Sequence, residues 1–297
     1  DPEAILIIEF RGDTILESKT QVTQLIEKFH EARLGYAFPE IIGMQAERVW
    51  NLRKAGLGLL ANIKGDKKAV ACIEDTAVAI EDLPEIDLVL ISHDHYDHLD
   101  YGSIQQLNSK VKQFYVPLGI KAHLTEWGVD ASKITEFDWW ESKILNGIEF
   151  VAAPARHFSG RGFTRNNTLW SSWVLKSENS TIYFSGDSGY GEHFKEIGDK
   201  YGPFDFAMME CGQYNEQWPQ IHMTPEESIL ASIDLQANLM MPIHWGSFKL
   251  ALHAWDDPII RVTKKAAELN VQISTPKLGE AIILNGGGYP SSKWWVN

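Results

Sequence analysis

Apolar and polar positions follow one rhythm in the first third of the chain and another in the rest. Ala4 to Phe10 is an apolar run, Arg11-Gly12-Asp13 has turn chemistry and Thr14 to Leu16 is apolar again, a pattern that predicts a hairpin. From Gln21 onward Val22, Leu25, Ile26, Phe29 and Ala32 keep helical spacing, and a second helix is expected to include Met44 to Ala55. After residue 83 short apolar runs alternate with amphipathic stretches. Strands are expected around 87–92, 113–116, 148–153, 168–175, 181–185, 205–210 and 239–243, and helices near 102–108, 119–127, 191–200, 225–235 and 258–270. This mixture suits two sheets faced by helices, an α/β architecture.

At the carboxyl end of the run Leu88-Val89-Leu90-Ile91 the chain reads His93-Asp94-His95-Tyr96-Asp97-His98. Strand ends are where α/β sheets place chemistry. In an extended segment alternate side chains share a face, so His93 and His95 can approach one ion while the turn aims Asp97 and His98 elsewhere. The spacing suits two adjacent ions. Imidazole and carboxylate with no thiolate nearby favour zinc, manganese or iron over calcium, which takes oxygen ligands. The other reading is a polar loop that happens to be rich in histidine. Packed so closely, however, the imidazoles gain nothing unless a cation satisfies their nitrogens.

The sequence HDHYDH after LVLIS resembles the His-x-His-x-Asp-His signature of the metallo-β-lactamase superfamily. That resemblance implies further ligands: His157 in APARH, Asp187 in YFSGDSG and His244 in MMPIHWG, each after a strand-like run. His93, His95 and His157 would hold one metal, Asp97, His98 and His244 the other, and Asp187 would bridge them. An αββα sandwich is the implied fold. The longer motifs LPEIDLVLISHDHYDHLDYGSI, FYVPLG, FDWWE, FSGDSGY with IGDKYGPFDFA, HMTPEES and PIHWGSF are together similar to one branch of the superfamily. That branch contains N-acyl-phosphatidylethanolamine phospholipase D and its bacterial relatives, with L-ascorbate-6-phosphate lactonase more distant. The similarity runs from about residue 83 to 284, whereas Glu17-Ser18 stands where the family has an Asp-Pro step.

On this resemblance residues 1–297 form a single metallo-β-lactamase-fold domain, a metal-binding core at 83–285 preceded by a divergent hairpin and helices at 1–82. It implies two zinc ions, with manganese or iron as alternatives, and a dinuclear hydrolase. A metal-bridging hydroxide oriented by Asp97 and Asp187 would cleave the phosphodiester of N-acyl-phosphatidylethanolamine-like phospholipids. The same chemistry could open a lactone or another ester of a small, phosphorylated or unphosphorylated metabolite. A metal-binding sensor without turnover is the remaining alternative. His222 precedes a helix that starts with Thr224 as cap and Pro225 in the first turn; it is a candidate proton donor or substrate ligand, or a structural histidine at a helix entry. Arg156, Arg161 and Arg165 surround His157 and could clamp a phosphate bidentately or form a solvated basic loop. Trp139, Trp140, Trp170 and Trp173 could line an acyl groove or belong to the core.

Composition narrows the partners. With 297 residues, 44% hydrophobic and 23% charged, the chain can bury a sizeable core, and ligands from His93 to His244 must converge within it. A net charge of −13 argues against nucleic acid, since phosphate backbones need a dense basic surface. No apolar stretch approaches the ~20 residues of a membrane span, so a cytoplasmic chain is expected, with peripheral membrane contact and homo-oligomers allowed. Because it begins at Asp1, there is room for a removed upstream segment. Cys72 and Cys211 form neither a disulfide framework nor a zinc-thiolate pattern and are expected as small core residues.

Overall fold

Helical spacing after Gln21 folds as a helix, and that helix begins earlier than the pattern suggests. The computed structural model describes residues 14–32, 37–41, 85–162, 164–246, 251–284 and 288–296. By its contacts the chain divides into two units, Asp1–Ile63 and Lys64–Asn297. In the first, α1 spans Ile15–Glu31, with Thr14 as its N-cap: the hydroxyl accepts the Glu17 N–H at 3.2 Å. Thr14 to Leu16 are therefore a cap and a first helical turn, not the return strand of a hairpin. An apolar pair after a turn fits either element, and the capping hydroxyl decides. The rest of the expected hairpin and the Met44–Ala55 helix lie outside the described residues.

In the second unit, strands carrying apolar side chains of both parities have to be covered on both faces. β1 (Ile86–Leu90), β2 (Val111–Pro117) and β3 (Ile134–Phe137) form a parallel sheet in that order. β4 (Ser142–Leu145), β5 (Ile148–Ala153), β6 (Ser172–Lys176), β7 (Thr181–Phe184), β8 (Phe206–Glu210) and β9 (Met240–Ile243) form a second sheet in sequence order. It is antiparallel from β4 to β7 and parallel from β7 to β9. β3 and β4 are additional to the expected strands; each is too short for alternation to stand out.

Parity decides which layer a side chain joins. Leu88, Leu90 and Tyr115 of the first sheet meet Phe150, Ala152 and Trp173 of the second in a core between the sheets. Their neighbours Val89, Phe114 and Val116 face the other way and pack with Ile104 and Leu124 of the helices Tyr101–Leu107 (α2) and Ile120–Glu126 (α3). On the far side Val151, Ala153 and Val174 pack with Phe194, Ile229 and Val262 of α4 (His193–Tyr201), α5 (Pro225–Asp234) and α6 (Asp257–Leu269). The layers run helix, sheet, sheet, helix, the αββα order expected from the sequence. Trp173, Tyr115 and Phe114 are wholly buried, and burying a phenylalanine such as Phe114 contributes about 1.5–3 kcal/mol relative to exposure.

Candidate metal centre

β5, β7, β8 and β9 all point the same way, so their carboxyl ends share one edge of the larger sheet. His157, Asp187, Glu210 and His244 stand at or just beyond those ends, and the HDHYDH turn follows β1 of the smaller sheet. The sheets are tied where that turn begins. The Trp173 indole N–H donates to the Ile91 carbonyl at 3.0 Å, and the Ser171 amide donates to the Ser92 carbonyl at 2.8 Å. Two glycines let the loops close. A Cβ on Gly186, where φ is +55°, would fall 2.7 Å from the Ser92 Cβ, and one on Gly212 would fall 1.5 Å from the His244 carbonyl oxygen. His244 itself is left-handed at φ +63°, a conformation a β-carbon disfavours and one that marks a constrained position.

The structure brings all seven expected ligands together. Donor atoms of His93, His95 and His157 lie within 4.8 Å of one another, as do those of Asp97, His98, Asp187 and His244. Asp187 stands between the sets: its Oδ2 is 3.8 Å from Nε2 of both His93 and His157 and 3.1 Å from His98 Nε2, while its Oδ1 is 3.6 Å from His244 Nδ1. His244 Nε2 and His98 Nε2 approach Asp97 Oδ2 at 3.7 and 3.6 Å. Among the described residues, His93 Nε2, His98 Nε2, both ring nitrogens of His244 and Asp187 Oδ1 are buried with no hydrogen-bond partner. Buried polar atoms are nearly always satisfied, so a group of orphans converging on one point fits metal ions as the missing partners. His157 is already set up as a ligand: Nδ1–H donates to the Ile221 carbonyl at 2.9 Å, which leaves Nε2 as a lone-pair donor.

Electrostatics separate the two sets. Burial holds His93 well below the ordinary imidazole range, with His98 adding to the effect, and burial brings His157 down to about 3. These are neutral nitrogens, the form a metal binds. His98 and His244 are raised instead, because Asp187 foremost and Asp97 after it outweigh the burial that opposes their charge. Burial would raise the carboxyls too. His98 nevertheless holds Asp97 down to about 2, and His244 and His98 hold Asp187 well below the carboxylate range. The two carboxylates thus favour positive charge at the second set, where the expected ligands would put a cation.

Other residues support these. Asp94, inside the motif, points away from the donors: Oδ1 accepts the Gly160 N–H at 2.7 Å and Oδ2 is 3.8 Å from His123 Nε2. His222 is buried 3.1 Å from Glu210 Oε1, at the entry to α5, which a capping box of Thr224 and Glu227 with Pro225 holds in place. Donor atoms of His222, His157 and Asp187 also lie within 4.8 Å of one another. Sequence reasoning missed Glu210, although one signal was there: the apolar strand Phe206–Met209 ends on an acid, as the strand before HDHYDH ends on its motif.

The three arginines go to different places. Arg161 donates to the carbonyls of Asp94 at 2.7 Å and Leu99 at 2.6 Å and lies over the rings of Tyr96 and Trp127, so it braces the motif turn. Arg156 is exposed and donates to the Tyr190 carbonyl at 2.8 Å, and Arg165 is exposed over the Phe158 ring. Trp173 is core and Trp140 stacks on Tyr201. Trp139 and Trp170, by contrast, join Arg156, His157, Glu192 and His193 around a cleft of about 590 Å³.

Comparison with known proteins bears on the family and the fold. A family model described as a β-lactamase superfamily domain matches residues 65–245, and a second, described as the C-terminal domain of FAD linked oxidases, matches residues 1–87. An uncharacterized protein of Mycobacterium tuberculosis is 42% identical over 222 residues, 73% of this chain and 59% of the relative. The N-acyl-phosphatidylethanolamine-hydrolyzing phospholipase D 1 of Caenorhabditis elegans is 38% identical over 58% of this chain and 52% of its own length. The mitochondrial enzyme of that description from Saccharomyces cerevisiae is 36% identical over 58% of this chain and 39% of its own length. The chain thus spans three fifths or less of these relatives. Among solved structures, a metallo hydrolase from Ignicoccus hospitalis superposes with a TM-score of 0.53 at 21% identity, covering 65% of this chain and 77% of that one. At that identity the likeness is one of fold.

Proposed function

We propose that this chain, which belongs to the β-lactamase superfamily domain family, is a dinuclear metal-dependent hydrolase of the phosphodiesterase type acting on N-acyl-phosphatidylethanolamine-like phospholipids. The observation that carries the reading is the division of the donors into two sets with Asp187 between them. His93, His95 and His157 would hold one zinc ion and Asp97, His98 and His244 the other, with Asp187 shared. Ions held there acidify water and neutralise charge developing on oxygen.

The chain's own residues supply the remaining functions. His222 turns Nδ1 to Glu210 and keeps Nε2 for a proton passed to a departing alkoxide. Arg156 lines the cleft with His157 and Arg165 lies over the Phe158 ring next in sequence, and there a guanidinium fork would meet the free oxygens of a phosphodiester. Trp139 and Trp170 give the neighbouring cleft an aromatic wall suited to an acyl chain. Support for a phospholipid comes from the two phospholipase relatives, and residues 83–285 carry the reading. In it the protein works in the cytoplasm and visits the membrane peripherally; no helix among the described residues is long and apolar enough to cross one.

The test is turnover by metal-analysed protein loaded with zinc, manganese or iron. Vesicles containing N-acyl-phosphatidylethanolamine should yield phosphatidic acid and N-acylethanolamine at about two ions per chain. Turnover confined to a lactone panel would replace the phosphodiesterase reading with ester hydrolysis. Full loading with no turnover of any substrate would leave a metal-binding sensor.

A further inference from the structure

We infer that Glu210 is a positioning residue of this centre, fixing Nδ1 of His222 and backing Nδ1 of His244 so that both rings present Nε2 to the site. The inference rests on the reading of the site proposed above. Glu210 is wholly buried at the end of β8. A carboxylate taken out of water costs several kcal/mol unless hydrogen bonds compensate it, so its partners indicate what holds it there. Its main chain is pinned from two sides: the Glu210 N–H donates to Ser185 Oγ at 2.9 Å, and Ser228 Oγ donates to the Glu210 carbonyl at 2.6 Å. On the side chain, Oε2 accepts the Met223 N–H at 3.2 Å, while Oε1 accepts the Gln213 N–H at 3.4 Å and faces His222 Nδ1 at 3.1 Å.

The same oxygen lies 3.7 Å from His244 Nδ1, beyond a hydrogen bond but close enough to bias that ring's orientation. His244 Nε2 meanwhile faces Asp97 Oδ2 at 3.7 Å, and Asp187 Oδ1 shares Nδ1 with Glu210 at 3.6 Å, so Glu210 and Asp187 address one nitrogen of this imidazole and Asp97 the other. The rings of His222 and His244 are nearly parallel, 11° apart with centroids 5.9 Å apart, as two rings backed by one carboxylate would be.

Donor atoms of Glu210, His222 and His244 also lie within 4.8 Å of one another, which makes a ligand role the competing assignment. Hydrogen bonding decides between them. Both Glu210 oxygens already accept from protein donors, whereas Asp187 Oδ1 is buried with no hydrogen-bond partner among the described residues. A satisfied carboxylate behind histidines is the arrangement that sets tautomer and aim, and an orphaned one is the arrangement that awaits a cation.

Glu210→Gln tests this, since it keeps the shape and removes the charge. The holo protein would be followed by metal analysis, by imidazole nitrogen NMR at a pH where His222 is neutral, and by kinetics on phosphodiesters with good and poor leaving groups. The wild type should show His222 with its hydrogen on Nδ1. The variant should lose that tautomeric preference while keeping its full complement of metal. With poor leaving groups kcat should fall roughly 10–100-fold, the loss typical of an outer partner, with KM changed less than about 2-fold. Adding His222→Ala to Glu210→Gln should then cost little more. An unchanged His222 tautomer would overturn the inference, and so would loss of one ion per chain, which would make Glu210 a ligand. The tautomer and the metal content are read without turnover, so absence of phosphodiesterase activity would fail the proposed function and leave this test standing. Should Glu210→Ala not fold, the isosteric variant still decides.

Discussion

Four donors of the candidate metal centre, His93, His95, Asp97 and His98, come from a single turn, whereas His157, Asp187 and His244 arrive from three separate strand ends. Polar contacts between side chain and backbone hold the turn: Asp94 accepts the Gly160 N–H, Arg161 donates to the Asp94 and Leu99 carbonyls, and the Tyr96 hydroxyl donates to the Arg161 carbonyl at 2.6 Å. The strand-end half is held by strand pairing, antiparallel at β5 and parallel from β7 to β9, and by glycines that admit backbone against backbone. A local chelate braced by several small contacts should weaken in steps. A site built on close-packed strand ends should fail abruptly, because packed interiors do not yield gradually.

The largest effect is expected at the residue both halves share. Asp187→Asn removes the charge between the two sets and should lower metal content below one ion per chain. Its effect on metal affinity should exceed the roughly 10–100-fold typical of an outer partner, with the fold retained by circular dichroism. His123→Ala should keep both ions, and equal hydrolysis of a responsive substrate by the two variants would remove the ligand assignment. Next, Gly212→Ala drives a Cβ into the His244 carbonyl and should destabilise the protein by about 3 kcal/mol or more in urea unfolding. A loss below about 1 kcal/mol would mean that the strand-end half is as compliant as the turn.

Arg161→Lys should cost less, about 1–2 kcal/mol, since lysine can reach the carbonyls but loses the planar stack over Tyr96 and Trp127. As a brace, Arg161 should change stability and metal retention with little change in KM. A raised KM for phosphodiesters at unchanged stability would instead make it a phosphate clamp.

An effect of similar size, confined to acid pH, concerns His193, whose Nε2 is 3.1 Å from the Ser188 hydroxyl beside Asp187. Burial first, and Arg156 second, lower its pKa to about 4. Between that value and the unfolded value near 6.5 the native state binds fewer protons than the unfolded one, so stability rises with pH across this window and is lost on acidification. His193→Gln should flatten the dependence by about 1–2 kcal/mol between pH 6.5 and 4, read from urea midpoints. An unchanged slope would show that this histidine carries none of the pH dependence.

Legibility in the sequence tracks how local each feature is. The HDHYDH turn is legible because its chemistry lies in consecutive residues after an apolar run, and the remaining ligands follow by resemblance once that motif is placed. Glu210 is not, because a lone acid at a strand end reads the same whether it meets solvent or sinks behind two imidazoles. Asp94 and Arg161 show the same limit: residue type marks a carboxylate or a cation, while its partner, a backbone N–H or carbonyl, is common to every residue. The four residues of β3 and of β4 are too few to display a period, and Ile144 of β4 is 70% exposed, so apolar character there does not report burial. At Thr14 the choice between strand and helix lies in one hydroxyl.

The donors also belong to opposite sheets, and this gives the centre a mechanical meaning. Ions bound by His93 to His98 on one side and by His157, Asp187 and His244 on the other would rivet the two sheets together at one edge, where the protein itself supplies the Trp173–Ile91 and Ser171–Ser92 hydrogen bonds. Mass action then couples folding to metal supply, worth about 4 kcal/mol when free metal exceeds its dissociation constant a thousandfold. Stripping the ions should speed hydrogen exchange in β1 and β6 before it reaches the helices outside, so that metal supply would set how long the sandwich stays closed.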